Sequence, residues 1–323
     1  MAKRIWLTEH GGPEVMQLQD FDPPAPGPGE VLVEQTAIGL NYIDIYQRRG
    51  FYPHPVPGGL GLEGAGRVAA VGEGVTGLSV GDRVAYSGLM GAYATHRIAP
   101  ANRLVPIPDA ITDRDAAALM FKGLTVEYLM ERLYRVQPGD EVLFYAASGG
   151  VGQIAGQWGR HLGARMIGVT SGPENCAMIR ELGYDAAIDR LNEDIGARAR
   201  ELTEARGVAV VYDSAGKATF EASLAALRPR GMFVSFGSAT GDAPDVPPSR
   251  LQHAGSLFFT RPMLAHYIAT DAEYHAAAAR VFALAEQGVI RVNVNQTFGL
   301  SGVAAAHEAL ASGETTGSTV ILP

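Results

Sequence analysis

The stretch FYAASGGVGQIAGQWGRHLGA, residues 144–164, holds a cluster of small residues between an apolar run and a helical pattern. The apolar run Val142–Tyr145 predicts a strand that leads into the cluster. After the cluster, apolar residues recur with the period of one helix face, at Val151, Ile154, Ala155, Trp158 and Leu162. A strand, a glycine-rich turn and a helix in this order are typical of a turn that binds the phosphates of a dinucleotide.

The glycine pattern of this turn differs from the usual fingerprint at its first position. G-x-G-x-x-G falls on Ala147, Gly149 and Gly152, with Ala in place of the first glycine. We expect Gly149 to let the backbone approach a pyrophosphate and Gly152 to let the helix pack closely on the strand. The amide groups at the helix N-terminus would then face the phosphates. A plain strand-to-helix turn could use the same small residues, but the alternation that follows favours the dinucleotide site.

From Glu141 onward, strand-like runs alternate with helical segments. The predicted strands are 142–145, 165–169, 186–188, 208–212, 231–236 and 256–260. The predicted helices lie near 151–162, 173–182, 193–205 and 217–227. Several helices end at Gly163, Gly183 or Gly207, where a left-handed C-terminal cap would sit. Six strands with intervening helices predict an α/β fold with a parallel, doubly wound sheet.

Residues 3–100 contain short strand-like segments separated by turn residues. RIWLTEHGGPEVMQLQDF predicts a hairpin around Gly11, Gly12 and Pro13. GAGRVAAVGEGVTGLSVGDRVAYSG has apolar stretches broken by glycines, as in a small and strongly bent β-barrel. The tail, 272–323, returns to a helix, a strand and a closing TGSTVILP that resembles an additional strand. We therefore expect a discontinuous first domain, with the tail folded back onto the N-terminal part.

Composition and charge exclude several classes of protein. Cys176 is the only cysteine among 323 residues, which excludes an internal disulfide and a cysteine-based zinc ribbon. The formal net charge of −8 argues against non-specific nucleic-acid binding, which relies on clustered cations. No apolar run approaches the length of a membrane span and no secretory signal is visible, so we expect a cytoplasmic protein without membrane contact.

The end of the second predicted strand bears on the choice of nicotinamide cofactor. NAD-specific sites usually carry a carboxylate there for the ribose 2′-hydroxyl, whereas this chain has Thr170 and Ser171. A neutral strand end favours NADP, because a carboxylate would repel its 2′-phosphate. Arg190, after the third strand, is the nearest cation in the next unit, although a solvated surface arginine is an equal alternative.

Motifs along the whole chain carry a resemblance to a known family. In order, they are HGGPEV, AIGLNYIDIYQRRGFYP, GLEGAGRVAAVGEGV, GDRVAY, FKGLTVEYL, AASGGVG, YDSAG and FVSFGSATG. Together they resemble the quinone oxidoreductases, the zinc-independent branch of the medium-chain dehydrogenase/reductase superfamily that includes ζ-crystallin. The resemblance implies a GroES-like β-barrel catalytic domain made of 1–123 and 265–323, and a Rossmann dinucleotide-binding domain at 124–264. It also implies NADPH, a homodimer and one-step hydride transfer to a quinone or similar flat electrophile.

Zinc-containing relatives of this family carry metal ligands at two positions that differ here. They place a Cys where this chain has Asn41 and a His where it has Leu62. The cysteine-rich lobe for structural zinc has no counterpart either. With one cysteine and no His/Cys cluster, we expect no metal site.

The resemblance also assigns site residues, position by position. It implies that Asn41, Tyr42, Asp44 and Tyr46 border the nicotinamide and substrate cleft. Cofactor contacts are implied at Thr125 and Tyr128, at Ser148, Gly149, Gly150 and Val151 of the turn, at Thr170, Ser171 and Ser214 near the adenosine ribose, and at Phe236, Gly237, Ser238 and Arg261 near the nicotinamide.

The chain departs from its relatives around the 2′-phosphate. Asn175 stands where relatives often carry a Lys, Arg190 where bacterial relatives carry a Tyr, and Gly313 where an Arg sometimes occurs. The phosphate site is therefore either rebuilt around Arg190 and Ser171, or relaxed so that NADH is also used.

The expected chemistry needs placement of the reactants more than acid–base catalysis, because a quinone is a strong hydride acceptor. Tyr46 and Tyr52 are candidates to stack on a flat acceptor and to donate to its oxygen, and Asn41 is a further donor. Ordinary packing is the alternative for either tyrosine. Two rival functions stay open: an NADPH-dependent reductase of α,β-unsaturated carbonyls, and a non-catalytic NADPH-binding protein.

Overall fold

Strands dominate the first third of the chain and alternate with helices in the middle. The computed structural model describes all residues, Met1–Pro323. The strands are β1 (Ala2–Leu7), β2 (Gln17–Phe21), β3 (Glu30–Leu40), β4 (Gly58–Gly59), β5 (Glu63–Val71), β6 (Arg83–Ser87), β7 (His96–Pro100), β8 (Val105–Pro106), β9 (Glu141–Tyr145), β10 (Arg165–Thr170), β11 (Ala186–Asp189), β12 (Val208–Asp213), β13 (Leu227–Ser235), β14 (Phe258–Thr260), β15 (Val294–Gly299) and β16 (Ser318–Leu322).

Nine α-helices accompany these strands, and none of them combines the length and apolar character that a membrane crossing requires. They are α1 (Tyr42–Arg48), α2 (Asp113–Glu127), α3 (Gly150–His161), α4 (Pro173–Glu181), α5 (Ile195–Leu202), α6 (Phe220–Ala226), α7 (Pro248–His253), α8 (Asp271–Glu286) and α9 (Val303–Ser312). A π-helical segment, Tyr128–Leu133, directly follows α2.

The chain divides into two units. Unit 1 consists of Met1–Leu124, Ile268–Gln287 and Val292–Pro323, and unit 2 of Thr125–Tyr267 and Gly288–Arg291. Both chain ends therefore belong to unit 1. The domain boundaries that the resemblance implies, after residues 123 and 264, stay a prediction about the functional domains.

Unit 2 contains a six-stranded sheet in the order β11-β10-β9-β12-β13-β14, and every pair of neighbours is parallel. The strand order reverses on either side of β9, which makes the ends of β9 and β12 the switch point where such sheets bind ligands. The predicted doubly wound sheet is confirmed. Gly163 and Gly183 directly follow the C-caps of α3 and α4 and have positive φ, as predicted. Gly207 also has positive φ but does not end a helix, because α5 ends at Leu202.

One strand of this sheet begins earlier than predicted. β13 starts at Leu227 rather than 231, and its first pairing with β12 is followed by a register shift. Residues 228–230 of that strand are exposed, and Arg230 has a φ of 62°. An exposed polar segment carries no apolar alternation, so the sequence pattern could not reveal this part of the strand.

Unit 1 contains a sheet in the order β15-β16-β3-β5-β6-β8, and a smaller sheet in the order β2-β1-β4. β3 is 11 residues long and pairs with β16 near its end and with β7 near its start. Two register shifts interrupt its pairing with β5, which bends the sheet. The predicted C-terminal strand is thus β16, which pairs with the N-terminal part of the chain. Its Ile321 packs in a core with Ile5, Val33 and Ile38.

Candidate functional site

The glycine-rich turn of unit 2 connects β9 to α3 at the switch point of the sheet. The Ala147 amide donates to the Val169 carbonyl of β10 at 3.0 Å, which fixes the turn against the neighbouring strand. Gly149 is the N-cap of α3, and no side chain caps the helix. The first amide groups of a helix lack intrahelical acceptors, so those of Gly150 and Val151 are available to an anion.

The two glycines of the fingerprint are constrained differently. A Cβ on Gly152 would lie 2.3 Å from the Ala146 carbonyl oxygen and 2.6 Å from the Ala147 Cα, so only glycine fits there. This agrees with its predicted role in close packing of helix on strand. A Cβ on Gly149 would meet only the Ala146 oxygen, at 3.3 Å. Packing alone therefore does not require Gly149, and its predicted approach to a pyrophosphate stays a prediction.

Three of the residues predicted near the 2′-phosphate lie together at the ends of β10 and β11. The Arg190 guanidinium donates to the Ser171 hydroxyl at 3.4 Å, and the Asn175 side chain donates to the Ser171 carbonyl at 2.9 Å. Arg190 is exposed. Thr170, by contrast, is buried, and its hydroxyl donates to Ser148 at 2.8 Å. Thr170 therefore positions Ser148, and its contact with the cofactor stays a prediction.

Asp189, which the sequence reading missed, holds this segment in place. Its carboxylate accepts the Gly172 amide at 2.8 Å and the Leu191 amide at 3.1 Å. These amide donors, with the Asn192 side chain, lower the pKa of Asp189 below its ordinary value. The loop that carries Ser171 is therefore tied to the end of β11, directly before Arg190. An Asp that follows an apolar run and precedes an Arg was the only sequence signal of this role.

The residues predicted near the nicotinamide also lie together in unit 2, at the ends of three strands. Arg261 donates to the carbonyl groups of Ser235 at 3.0 Å and Gly237 at 2.8 Å, and to the Ser238 hydroxyl at 2.9 Å. A Cβ on Gly237 would lie 2.4 Å from the Ser214 carbonyl oxygen, so these two segments touch through their backbones. Phe236 joins them through its amide, which donates to the Asp213 carbonyl at 2.8 Å.

Asp213 is a second organising carboxylate that the sequence reading missed. It is fully buried at the end of β12, and its side chain accepts the amides of Ala215 and Gly216 at 2.7 and 2.9 Å. It also accepts the hydroxyl groups of Thr219 and Ser223 at 2.7 and 2.8 Å. Asp213 therefore shapes the loop after β12 that contains Ser214.

Thr125 and Tyr128, the remaining predicted cofactor contacts of unit 2, are both buried. The Tyr128 ring stacks on Tyr267 with a centroid distance of 4.6 Å. Both residues lie where α2 changes into the π-helical segment, a type of irregularity that is frequent at functional sites. Their contact with a cofactor stays a prediction.

In unit 1, the predicted substrate residues lie on α1 and the segment that follows it. Tyr46 is the centre of an aromatic cluster, with ring centroids 5.1 Å from Tyr42, 5.3 Å from Phe51 and 5.0 Å from Tyr52. Tyr46 and Tyr52 are half-buried, which leaves part of each side chain accessible. The structure thus brings Tyr42, Tyr46 and Tyr52 together and adds Phe51, which was not predicted.

Asn41 and Asp44 are more deeply buried than the tyrosines. The Asn41 side-chain amide donates to Glu63 at 2.7 Å, and its backbone amide donates to Asp44 at 3.0 Å. Asp44 has no exposed surface. Asp44 fixes the start of α1, and its contact with the cofactor stays a prediction.

A chain of buried hydrogen bonds leads from Asp44 to α9. Tyr93 donates to Asp44 at 2.7 Å and contacts His307 at 3.0 Å, and His307 contacts Arg48 at 3.2 Å. Arg48 can only donate, so His307 accepts through Nδ1 and donates to Tyr93 through Nε2. Burial raises the pKa of Asp44 to about 7, and burial with the nearby Arg48 lowers the pKa of His307 to about 3. None of the residues that extend this chain beyond Asp44 was predicted.

The two positions that carry zinc ligands in zinc-containing relatives hold other contacts here. Asn41 is bonded to Glu63, and Leu62 is a buried apolar residue. The structure contains no group of three or more His, Cys, Asp or Glu side chains that could hold a metal ion.

Two family models match the chain. Residues 27–109 match the alcohol dehydrogenase GroES-like domain, and residues 150–282 match the zinc-binding dehydrogenase family. The first match lies in unit 1, and the second begins at the first residue of α3.

Relatives of the chain match it over its whole length. The quinone oxidoreductase of Pseudomonas aeruginosa is 48% identical over 325 residues, which covers all of both chains. A crystal structure of Escherichia coli quinone oxidoreductase complexed with NADPH matches with a TM-score of 0.97 at 42% identity, over 99% of this chain and 100% of that one. The 2-haloacrylate reductase of Burkholderia sp. is 41% identical, over 100% of this chain and 99% of that protein.

Proposed function

The chain belongs to the quinone oxidoreductases of the medium-chain dehydrogenase/reductase superfamily, and from that premise we propose that it transfers a hydride from NADPH to a quinone without a metal ion. The observation that carries this proposal is the turn at the switch point, where Gly152 is required by packing and the amides of α3 are uncapped. A dinucleotide pyrophosphate fits such a helix start. The relative from Escherichia coli whose structure contains NADPH supports the choice of cofactor.

NADPH supplies the hydride from C4 of its nicotinamide, and the chain's own residues bind and orient the reactants. In this proposal the backbone groups of Phe236, Gly237 and Ser238 hold the nicotinamide end, and hydrogen bonds from Arg261 to Ser235, Gly237 and Ser238 fix the conformation of this segment. Holding two reactants in a productive geometry can supply about 7–11 kcal/mol of the barrier. Placement is therefore sufficient chemistry for an acceptor as reactive as a quinone.

The acceptor is proposed to lie on the aromatic cluster of unit 1. The rings of Tyr46 and Tyr52 offer flat apolar surface, and their hydroxyl groups can donate to an acceptor oxygen. Asn41 lies at the start of the same helix and supplies an amide donor. This residue set has no metal ligand cluster, which supports a zinc-independent reaction.

Selectivity for NADPH is proposed to come from Arg190 and Ser171. The two side chains are within hydrogen-bonding distance of each other, and Asn175 anchors the Ser171 backbone. A guanidinium and a hydroxyl together suit a phosphate group, and no carboxylate ends β10 to repel it. NADH would lack this contact and is expected to bind more weakly.

The protein is further proposed to act as a cytoplasmic homodimer. The outer strand β14 pairs only with β13, so its other edge is open to a second copy. Phe258 on this strand is 59% exposed, and Met263 shortly after it is 56% exposed. An open strand edge beside exposed apolar side chains is a typical contact surface. Dependence on NADPH and a single free, buried cysteine are compatible with a reducing compartment.

A second candidate function is reduction of an α,β-unsaturated carbonyl compound. The observation that favours it is the 41% identity to a 2-haloacrylate reductase over the full chain. That reaction adds a hydride to carbon and then needs a proton at the neighbouring carbon. The Tyr46 and Tyr52 hydroxyl groups are the candidate donors in that case.

One experiment distinguishes these functions. Oxidation of NADPH and of NADH by the purified protein is measured with 1,4-benzoquinone, 9,10-phenanthrenequinone, a 2-alkenal and crotonyl-CoA, each with and without a chelator. We expect fast turnover with NADPH and a quinone, unchanged by the chelator. Turnover with the alkenal alone would establish the second function. Loss of activity with the chelator would contradict a zinc-independent reaction. Tight NADPH binding without turnover of any acceptor would indicate a non-catalytic binding protein.

A further inference from the structure

The side chain of Asn41 belongs to a buried cluster that includes an ion pair. Glu63 has no exposed surface and Lys122 is 5% exposed, and the Lys122 ammonium donates to Glu63 Oε1 at 3.1 Å. The same oxygen accepts from Asn41 Nδ2 at 2.7 Å, and Glu63 Oε2 accepts the Phe121 amide at 2.6 Å. Lys122 also donates to the Leu40 carbonyl at 3.3 Å. We call Asn41, Glu63 and Lys122 the Glu63 cluster.

A glycine opposite Glu63, Gly39, leaves room for the Glu63 carboxylate. Glu63 begins β5 and pairs in register with Gly39 of β3, two residues before Asn41. A Cβ on Gly39 would lie 2.2 Å from Glu63 Oε1 and 2.4 Å from the Ala117 carbonyl oxygen. Glycine at position 39 thus makes the space that the carboxylate occupies.

Stability alone is a weak reason to bury such a pair. Removing two charges from water carries a large desolvation cost, and replacing such a pair with well-packed apolar residues is often neutral or stabilising. What the pair does determine is the orientation of Asn41, together with the capping box at the start of α1, in which the Asn41 side chain faces the Asp44 amide. An ionised carboxylate only accepts hydrogen bonds, so the Asn41 amide must turn its NH₂ group, and not its oxygen, toward Glu63.

We propose that Glu63 and Lys122 are positioning residues that fix the Asn41 amide so that its second N–H is offered to the carbonyl oxygen of the acceptor. The inference rests on the proposed function, in which Asn41 contacts the acceptor. When the quinone gains a hydride, one of its oxygens becomes an anion that takes its proton from water. A donor held in place beforehand stabilises that anion without reorganising during the reaction.

Glu63→Gln tests the orientation of the Asn41 amide, because it introduces an NH₂ donor group in place of one of the two accepting oxygens of Glu63. The introduced glutamine must direct its NH₂ group at either Asn41 Nδ2 or the Phe121 amide, both of which are donors. Rotation of the Asn41 amide relieves this conflict, since its oxygen then faces the glutamine NH₂ group, and it gives up the capping contact with the Asp44 amide. The acceptor would meet a carbonyl oxygen or nothing, and we expect kcat and kcat/KM for the quinone to fall together by about 100-fold. KM for NADPH is expected to stay within about twofold.

A double variant separates orientation from stability. Asn41→Asp with Glu63→Gln reverses the hydrogen bond, because the introduced aspartate accepts from the introduced glutamine, and keeps one negative charge near Lys122. We expect it to recover the melting temperature lost in Glu63→Gln while kcat stays low, since position 41 has no side-chain N–H left to donate. Tyr86→Phe is the matched control: Tyr86 is fully buried in unit 1 and donates to Gln35, so its loss lowers stability without removing any hydrogen bond of the Glu63 cluster.

The four proteins are compared in the acceptor panel, with melting temperatures and NADPH affinities measured in parallel. Low kcat in both Glu63 variants, with wild-type kcat in Tyr86→Phe, is the expected result. Unchanged kcat in Glu63→Gln, or recovery of kcat together with stability in the double variant, would overturn the positioning role. If the wild type reduces the alkenal and not the quinones, the assignment of a quinone as the acceptor is wrong. The positioning role is then tested by comparing the variants with the alkenal. A wild type that turns over no acceptor overturns both proposals.

Discussion

The turn after β9 and the Glu63 cluster are both polar sites at the start of a helix, but they are made from different parts of the chain. The turn uses backbone amides and the absence of side chains, with Gly152 packed against Ala146. The Glu63 cluster uses charged side chains from β5 and α2 to orient one amide at the start of α1. The turn should therefore be sensitive to added volume, and the cluster to exchange of donors and acceptors.

Gly152→Val should produce the largest effect. A Cβ at this position collides with the Ala146 carbonyl oxygen, so α3 must move away from β9. We expect NADPH affinity to fall at least about 100-fold, and overpacking to cost about 1–3 kcal/mol of folding stability. Titration calorimetry with NADPH and a denaturant melt measure both quantities.

Gly149→Ala is the matched control for Gly152→Val, because its Cβ meets only one oxygen at 3.3 Å. Its stability should stay near that of the wild type, while NADPH affinity falls if the backbone approaches the pyrophosphate here. Wild-type affinity in Gly149→Ala would contradict that approach, and wild-type affinity in Gly152→Val would contradict a site based on backbone packing.

Gly39→Ala extends the volume test to the Glu63 cluster. The added Cβ would lie 2.2 Å from Glu63 Oε1, so the carboxylate must shift and the Asn41 amide with it. We expect a loss of about 1–3 kcal/mol in stability together with a lower kcat. Gly299→Ala in β15 is the control, since its Cβ would meet only the Ser301 hydroxyl at 3.9 Å. Equal melting temperatures for the two variants would show that position 39 accommodates a Cβ without displacing the Glu63 carboxylate.

Arg190→Ala should weaken the binding of NADPH and leave the binding of NADH nearly unchanged. Loss of the guanidinium beside Ser171 removes the proposed partner of the 2′-phosphate, so KM for NADPH should rise about tenfold. KM for NADH, which lacks this phosphate, should hardly change. Steady-state kinetics with both cofactors and one quinone provide the comparison. Equal small effects on the two values would return Arg190 to the role of a solvated surface residue.

The hydrogen-bond chain from Asp44 to His307 predicts two opposite pH dependences. Burial raises the pKa of Asp44 to about 7, so the folded state keeps a proton that the unfolded chain releases from about pH 4 upward. Stability from Asp44 is therefore full below about pH 4 and lost as the pH rises to about 7. Burial lowers the pKa of His307 to about 3, so its contribution is lost as the pH falls below about 6.5.

Two substitutions separate the pH dependence of stability that comes from Asp44 from the one that comes from His307. In Asp44→Asn, the unfolding free energy relative to wild type should rise by about 1 kcal/mol per pH unit between pH 5 and 7. In His307→Gln, which can still accept from Arg48 and donate to Tyr93, it should rise as the pH is lowered from 6 to 4. Urea melts at several pH values measure both differences. A pH-independent difference for either variant would mean that the group titrates alike in the folded and unfolded chain.

The two sites also differ in how far the sequence predicts them. The turn is predictable because the strand, the glycines and the helix are adjacent, and the resulting sheet order follows from the alternation. Ser171 and Arg190 could be paired because each directly follows one of two neighbouring parallel strands. The Glu63 cluster could not be predicted, because its hydrogen bonds join residues 22 and 59 positions apart and depend on the register of β3 with β5.

Whether a particular polar side chain is buried is the second property that the sequence does not reveal. Asp44 and Thr170 stand in the motif positions expected for cofactor contacts, yet both side chains are buried and bonded to protein groups. Nothing local distinguishes a carboxylate that faces a ligand from one that fixes a helix start. Tyr93 and His307, which complete the chain from Asp44, are 214 positions apart. Only the folded arrangement of β16 and α9 with the N-terminal strands shows why such residues meet.

The proposed reaction is a hydride transfer from NADPH to a quinone by the protein itself. Its most direct test is the initial rate of quinone reduction by metal-depleted protein, with NADPH and with NADPH deuterated at both C4 positions, under single-turnover conditions. We predict reduction well above the rate without protein, with one quinone reduced per NADPH and a slower rate for the deuterated cofactor. No reduction above the uncatalysed rate, or a requirement for added metal, would contradict the proposed reaction.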